Sequence, residues 1–575
     1  MPDGTMDVGG VTGPVSAQIE AALEDLARRD ASAKIWAKDP SLWKREPDHQ
    51  KIIRNSLGWL TVMETTRQHA ADLAKLAVEV ERTGFSHVVL LGMGGSSLCP
   101  DVLRLTFGRL AGFPKLAVLD TTDPASVQAV EQFVDLPRTL FIVASKSGTT
   151  PEITAFYQYF FAKVQSLKGE RAGEQFIAIT DAGTPLERIG AEKKFHHVFL
   201  NPTDIGGRYS ALSFFGTAPG TLMGLDVLRL LDRAEAMARA CGPTVPIREN
   251  PAAVLGALMG VLAKAGRDKL TFVCSPEIAS FGYWVEQLIA ESTGKEGTGI
   301  VPVEGEALGP AGVYGDDRVF VFLKPHGSND PGLDGRVRAL EQAGHPVVRI
   351  QLQDLYDLGA EFFRWEFATA VAGALMGVDP FDQPNVQESK DNTKQLLAEF
   401  KTRGRLPEEP LILTDGPIRI HGDTASAEVV RGAKALADAL RAHLGRIRPR
   451  DYVALTAYLQ AMPAYADVLD AIRLRIRDGF RVATTVGYGP RFLHSTGQLH
   501  KGGGDSGVFL QFTADPPVDL PIPGEPHSFG VMIAAQALGD LHSLYSRKRR
   551  ALRIHITGNI EAGLKRVLEA IREIP

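Results

Sequence analysis

The sequence predicts an α/β protein built on open parallel sheets, and three observations predict it. Short apolar runs, each closed by glycine, serine or aspartate and followed by a helical stretch, recur along most of the chain, which is how parallel strands with crossover helices read. Glycine is plentiful: there are 58 among 575 residues, with no G-X-Y period and no low-complexity run. That surplus over the ordinary ~7% fits many turns in which backbone must approach something closely. The hydrophobic and charged fractions, 44% and 23%, are those of a folded chain, and at ~100–200 residues per structural unit the length allows several.

Residues 1–60 read as a loose start followed by a helical arm, with Ser16–Arg29 periodic and Trp36, Trp43 and Trp59 as buried anchors. The strand–turn–helix pattern then begins. His87–Leu91 runs into Gly92, Leu116–Leu119 into Asp120, Leu140–Ala144 into Ser145, and Phe176–Thr180 into Asp181. These define a first α/β unit over 61–245. Leu270–Cys274, Val319–Leu323 and Val347–Leu352 define a second over 246–400. The charged, proline-bearing Lys401–Pro410 marks a boundary. Beyond it, a C-terminal α/β region over 401–575 has strands expected at Leu411–Thr414, Arg481–Thr485, Val508–Phe512 and Leu552–Ile556, and helices around Val429–Ala442 and Tyr452–Arg477. Nothing repeats every 20–50 residues, which excludes solenoids and propellers.

Charge and cysteines bound the setting. Sixty-three Lys and Arg against 68 Asp and Glu leave a formal charge of −5, so there is no global electrostatic reason to bind nucleic acid or an anionic membrane. Cys99, Cys241 and Cys274 share no CxxC spacing, which supports neither a zinc ribbon nor a disulfide framework. The opening MPDGTMDVGGVTGPV lacks the basic and apolar regions of a signal peptide. The most apolar helical stretch, Pro251–Ala263, meets Lys264 too early to span a bilayer. The expectation is a soluble protein of a reducing compartment, the cytoplasm.

In open parallel sheets ligands sit beyond the carboxyl ends of strands, so the turns there come first. Gly92-Met93-Gly94-Gly95-Ser96-Ser97 ends a strand and opens a helix, with a serine where a dinucleotide fingerprint has its third glycine; it reads equally as a tight turn or as an anion site. Ser145-Lys146-Ser147-Gly148-Thr149-Thr150-Pro151-Glu152 places four hydroxyls, a lysine and a glycine before a helix whose first turn suits Pro151. That is an anion cradle of hydroxyls and backbone N–H groups, or else a capped helix start. Two such turns in one unit favour a phosphorylated small molecule. Gly206-Gly207-Arg208-Tyr209-Ser210 offers an arginine for oxyanion charge or a surface ion pair. Glu291 falls in the last turn of a helix ended by Gly294, with Gln287 one turn back on the same face. There the helix dipole opposes the carboxylate's charge, a setting that suits a general base and is also common for a merely solvated glutamate. His196 and His197 alternate across a strand and share no metal, His500 reads as a loop residue, and Gly504-Asp505-Ser506-Gly507 lacks the surroundings of a serine nucleophile.

Together LLGMGGSSL, ASKSGTTPE, GGRYSALSFFG, EQLIAESTGK and Phe381-Asp382-Gln383-Pro384-Asn385-Val386-Gln387-Glu388-Ser389-Lys390 resemble, in the usual order, the glucose-6-phosphate isomerase (phosphoglucose isomerase) family. Phe492-Leu493-His494-Ser495-Thr496-Gly497-Gln498 is similar to the family's histidine segment. It departs in order, since here Lys390 precedes His494, an arrangement like the isomerase half of fused transaldolase–glucose-6-phosphate isomerase proteins. A transaldolase barrel needs ~250 residues, and only about 60 precede the first unit, so that activity is not expected. The resemblance implies two sugar-isomerase (SIS-type, flavodoxin-like) doubly wound domains. It implies that Ser145, Lys146, Ser147, Thr149 and Thr150, with Gly95 and Ser96, hold a sugar phosphate. Glu291 would carry a proton between C2 and C1, Arg208 would stabilise a cis-enediolate, and His494 with Lys390 would open the sugar ring. Gln287 and Glu152 match pocket positions, and Lys394, one turn beyond Lys390, is the alternative lysine. No metal and no cofactor are implied. A homodimer is, with the histidine's origin, from its own chain or a partner, left open. Alternatives are a dual phosphoglucose/phosphomannose isomerase and a non-catalytic sugar-phosphate sensor.

Overall fold

The computed structural model describes residues 6–9 and 14–574. The start is not wholly loose. Strand β1, Met6–Gly9, pairs antiparallel with a strand some 340 residues later, Met6 opposite Ile350. The helices that follow are pinned by tryptophans: the indole N–H of Trp36 donates to the Cys241 carbonyl and that of Trp43 to the Ala370 carbonyl, each at 2.7 Å. Trp59 stacks on Tyr209 with ring centroids 5.5 Å apart. Trp43 and Trp59 are buried, whereas Trp36 is half-buried.

Three sheets follow. The first consists of β2 (His87–Gly92), β3 (Lys115–Leu119), β4 (Thr139–Ala144), β5 (Phe176–Asp181) and β6 (His197–Asn201), all parallel in the order β3-β2-β4-β5-β6. Its central strands are continuous apolar runs because both faces are covered, and Val88–Leu91 and Leu140–Ala144 are buried throughout. Each fully buried aliphatic side chain contributes about 1.5–3 kcal/mol. The second sheet has β7 (Lys269–Cys274), β8 (Val301–Val303), β9 (Arg318–Pro325) and β10 (Val347–Leu352), ordered β1-β10-β9-β7-β8 and parallel except for β1. The helix Pro251–Lys264 leads into it; Asn250 caps that helix by accepting from the Ala252 and Ala253 amides, and Pro251 takes the position where its missing N–H costs nothing.

The third sheet has β11 (Leu411–Asp415), β12 (Ile418–His421), β13 (Tyr452–Tyr458), β14 (Ala483–Tyr488), β15 (Gly507–Ala514) and β16 (Arg550–Ile556), in the order β11-β12-β16-β15-β13-β14. The last four are parallel, and β11 and β12 form an antiparallel hairpin on one side. Here the sequence expectation needs correction. The helix expected over Tyr452–Arg477 is a strand, β13, then a helix, Pro463–Phe480. Tyr-Val-Ala-Leu-Thr-Ala-Tyr is apolar without a period, and such a run fits a buried strand as well as a helix; flanked by β14 and β15, it is buried along its whole length. The helix expected over Val429–Ala442 is two, Thr424–Val429 and Leu436–Leu444, parted around Gly432 with φ +86°. His500 lies not in a loop but on the short helix Gly497–Gly502, packed between Phe492 and Phe509. Burial pulls its imidazole down to about 3, so it serves as a neutral core side chain. No helix among the described residues is long and apolar enough to cross a membrane.

Candidate active site

Segments from all three sheets meet at one place. From the first sheet come the turns after β2 and β4, followed by the helix Pro151–Lys168, and the short turn Gly207–Tyr209 beyond β6. From the second comes the helix Phe281–Thr293, and from the third the turn Arg491–His494 beyond β14. Strand carboxyl ends supply these turns because the helix N-termini and free backbone N–H groups of an open parallel sheet lie there.

The Ser145–Thr150 turn is held by its own hydroxyls. Ser145 Oγ accepts from the Gly148 amide at 3.1 Å and lies 3.0 Å from Thr150 Oγ1, while Ser147 Oγ accepts from the Thr149 hydroxyl at 3.1 Å. Gly148 takes φ +65°, which a side chain would oppose. Ser147, Thr149, Thr150 and Glu152 line a cavity of about 740 Å³, whose other walls include Lys390, Lys394, His494 and Gln536. Lys146 is not on that wall: its ammonium is engaged by the Asp181 carboxylate and, at 2.9 Å, by the Thr203 carbonyl.

Two carboxylates are fastened differently. Glu152 Oε1 lies 3.0 Å from His494 Nε2 and accepts from Gln536 Nε2 at 2.7 Å. Burial drives this carboxyl up, but the His494 ring, its hydrogen bond and the Lys390 ammonium outweigh burial and leave it below the ordinary glutamate value. Glu291, 7% exposed, has Oε1 3.4 Å from Arg208 and Oε2 accepting from Gln287 at 3.0 Å. The same Gln287 amide donates to the His494 carbonyl at 2.7 Å. A continuous polar chain thus runs Arg208, Glu291, Gln287, His494, Glu152, and His494 reaches the cavity within its own chain. Neither Glu291 nor Arg208 belongs to the wall of the 740 Å³ cavity; Gln287 is their link to it.

Arg208 is docked with five donors in view of five acceptors. Its guanidinium donates to Ser292 Oγ at 2.8 Å, Gln383 Oε1 at 2.9 Å, and the carbonyls of Pro380 and Asp382 at 2.7 and 2.9 Å. Lys295 holds the same segment, donating to the Asp379 carbonyl and the Asp382 carboxylate at 2.7 Å. Burial, and then the neighbouring Arg208 charge, pull that ammonium down to about 8. Among the described residues one trio of potential metal ligands converges, His49, Asp379 and Asp382, and the Lys295 cation already serves Asp382 there. The glycine turn closes the site from the side. Gly94 has φ +54°, and a Cβ on it would stand 2.8 Å from the His494 carbonyl oxygen; one on Gly95 would stand 1.9 Å from that of Gly207. Ser96 is buried beside them.

On the far side of the Arg491–His494 turn lies a second cavity of about 730 Å³, into which Glu286, Glu304, Asp101 and Arg491 face. Burial, then the charge of Glu304, pushes Glu286 up to about 8. Several side chains of these networks carried no sequence signal. Gln536 stands in a helix, Phe529–Ser546, and Thr122, whose hydroxyl donates to Gln536 Oε1, in the loop after β3, and neither segment carried a motif. Lys295 follows the helix-ending glycine, and its signal was only its place at the end of a segment already singled out.

Residues 77–306 match the family described as phosphoglucose isomerase. That span holds the turns from Gly92 to Ser97 and Ser145 to Glu152, Arg208, Gln287 and Glu291, and stops short of Lys390 and His494. A probable glucose-6-phosphate isomerase of Methanococcus maripaludis is 28% identical over 397 residues, covering 61% of this chain and 86% of the relative. The glucose-6-phosphate isomerase of Rubrobacter xylanophilus is 29% identical over 422 residues, covering 65% and 94%. Among solved structures, a hypothetical protein of Thermus thermophilus superposes with a TM-score of 0.58 at 23% identity, covering 68% of this chain and all of that one. A glucose-6-phosphate isomerase of Chlamydia trachomatis superposes with a TM-score of 0.50 at 21% identity, covering 65% and 78%. At such identities these two likenesses speak to the fold.

Proposed function

The chain belongs with the phosphoglucose isomerases, by the match of residues 77–306 and by its relatives, and from that premise we propose that it interconverts D-glucose 6-phosphate and D-fructose 6-phosphate, an aldose–ketose isomerisation serving glycolysis and gluconeogenesis. The single observation that carries this reading is the polar chain from Arg208 through Glu291 and Gln287 to His494 and Glu152, beside a hydroxyl-rich strand-end turn. The Ser145–Thr150 turn with Gly95 and Ser96 receives the phosphate, whose binding energy is used to orient the reacting carbons. Glu291 removes a proton at C2 and returns it at C1, general acid–base transfer being worth about 10²–10⁴-fold. The negative charge on oxygen in the cis-enediolate is met by the positive charge of Arg208, held in place by its protein partners; preorganised electrostatic stabilisation of this kind is worth about 10²–10³-fold. His494, with its Nε2 against the Glu152 carboxylate, presents its other nitrogen to the ring oxygen for opening, and Lys390 assists from the cavity wall. Lys146 supports the turn through Asp181 and Thr203. We place the protein in the cytoplasm as a homodimer.

The test is an assay coupling fructose 6-phosphate conversion to oxidation of the glucose 6-phosphate formed. The parent protein turns over, and Glu291→Gln loses at least about 10² in kcat. Near-parental turnover by Glu291→Gln would remove the base from this scheme.

A further inference from the structure

We propose that Gln536, on the helix Phe529–Ser546 of the C-terminal region, is a positioning residue for the ring-opening pair: it fixes Glu152 as an ionised acceptor and so sets which nitrogen of His494 faces the sugar. The inference rests on the isomerase reading above and deepens it.

The Gln536 side chain is 2% exposed and both ends of its amide are engaged. Its Oε1 accepts from the hydroxyl of the fully buried Thr122 at 2.6 Å, and its Nε2 donates to Glu152 Oε1 at 2.7 Å. The amide therefore has one orientation. Turned over, it would set its carbonyl oxygen against a carboxylate oxygen, a repulsive pair. The Gln536 donor favours the ionised form of Glu152, as do the His494 ring and the Lys390 charge; a carboxylate only accepts, so the 3.0 Å hydrogen bond runs from His494 Nε2 to Glu152. Nε2 keeps its proton, and Nδ1 is the nitrogen left for the substrate. The anchoring spans the molecule: Thr122 follows β3 of the first sheet, Glu152 opens the helix after β4, and Gln536 and His494 come from the C-terminal region. Glu152 starts a helix in the first unit while its ring partner lies 342 residues along the chain. A local capping interaction cannot register that pair, and a neutral amide held from the far side can. A neutral donor suits this place, because a cation would compete with His494 for the carboxylate and a second carboxylate would share its proton.

The experiment compares kcat, KM and the pH dependence of kcat for the full chain and for Gln536→Leu, Gln536→Glu and Thr122→Val, with fructose 6-phosphate as substrate. Gln536→Leu is expected to lower kcat by about five- to a hundredfold, the range for losing one buried hydrogen-bond partner, with KM within twofold. Its acid limb should move to higher pH, since the carboxylate loses a donor that favours its ionised form. Gln536→Glu should lose more and move further. Thr122→Val, close in shape, should show the same displacement more weakly and guards against a Gln536 variant that does not fold. The proposal is overturned if Gln536→Leu and Gln536→Glu keep parental kcat and pH dependence, or if the whole loss appears in KM. It is equally overturned if kcat falls with the acid limb unmoved in all three variants, which is the mark of a structural role. Failure of the isomerase reading itself shows differently, as absence of turnover by the unaltered protein.

Discussion

Gly95 and Gly207 face each other where the β2 turn meets the turn carrying Arg208, and they make unequal demands. A Cβ added to Gly95 would sit 1.9 Å from the Gly207 carbonyl oxygen and 2.2 Å from its carbonyl carbon, whereas a Cβ on Gly207 meets nothing within 4 Å. Neither glycine has positive φ, so the difference is one of space and not of backbone strain. Ordinary contact begins at 3.4 Å, so Gly95→Ala must part the two turns by about 1.5 Å, and the obstructing atoms are backbone that no rotamer change can move. Overpacking of this kind costs about 1–3 kcal/mol of stability. Function should suffer more, because Arg208 is the next residue after Gly207, and a misplacement of about 1 Å in a catalytic group costs about 10²-fold. We expect Gly95→Ala to lower kcat/KM by about 10² or more, roughly 2.7 kcal/mol of transition-state stabilisation, and Gly207→Ala to stay within about threefold of the parent. The coupled isomerase assay and a thermal melt of both variants decide it. If Gly95→Ala is active and stable, or Gly207→Ala is as damaged as Gly95→Ala, the steric argument is wrong.

Other expectations follow from the same contacts. Glu286 is held up at about 8 by burial and by Glu304, against an ordinary 4.5. The fold keeps its proton while the unfolded chain releases it, so stability falls as pH rises from about 4.5 towards 8. Glu286→Gln should therefore narrow the difference in Tm between pH 5 and pH 8, and an unchanged difference would refute this. Lys390 and Lys394 both border the cavity, and Lys390 is among the leading charges that hold Glu152 down. Lys390→Met is expected to lower kcat at least about tenfold and Lys394→Met less than about threefold, and steady-state kinetics showing the reverse order would exchange their roles. Because the Lys146 ammonium is engaged by Asp181 and Thr203, Lys146→Met should raise KM less than Thr150→Ala does, and a larger effect of Lys146→Met would mean that its charge reaches the phosphate.

Much of the architecture was legible in the chain alone. The first sheet's strands follow the apolar runs within a residue or two, because a strand covered on both faces must be apolar throughout, and a glycine or serine turn must end it. The Ser145–Glu152 and Gly92–Ser97 turns announced themselves by local chemistry, since hydroxyls, glycines and a proline at a helix start serve few other purposes together. The misreadings have the same origin. Tyr452–Tyr458 carries no period, and its strand identity comes from neighbours 31 and 55 residues away, Ala483 and Gly507. Met6–Gly9 is a strand only because the edge beside Val347–Ile350 is open to it.

The sequence by itself determined the strand–turn–helix order of the first unit and the residue types of the Ser145–Thr150 turn, because each of those signals is written within about ten residues, whereas the short strand β8 of the second sheet carried no such signal. Only the tertiary structure decided that His494 meets Glu152 from its own chain, that Lys146 turns to Asp181, that Arg208 rests on the carbonyls of Pro380 and Asp382, and that Gln536 stands behind the ring-opening pair. The physical reason is that these groups are brought together by the burial of three sheets against one another. That packing free energy is summed over many residues far apart in the chain, and no single local pattern records it.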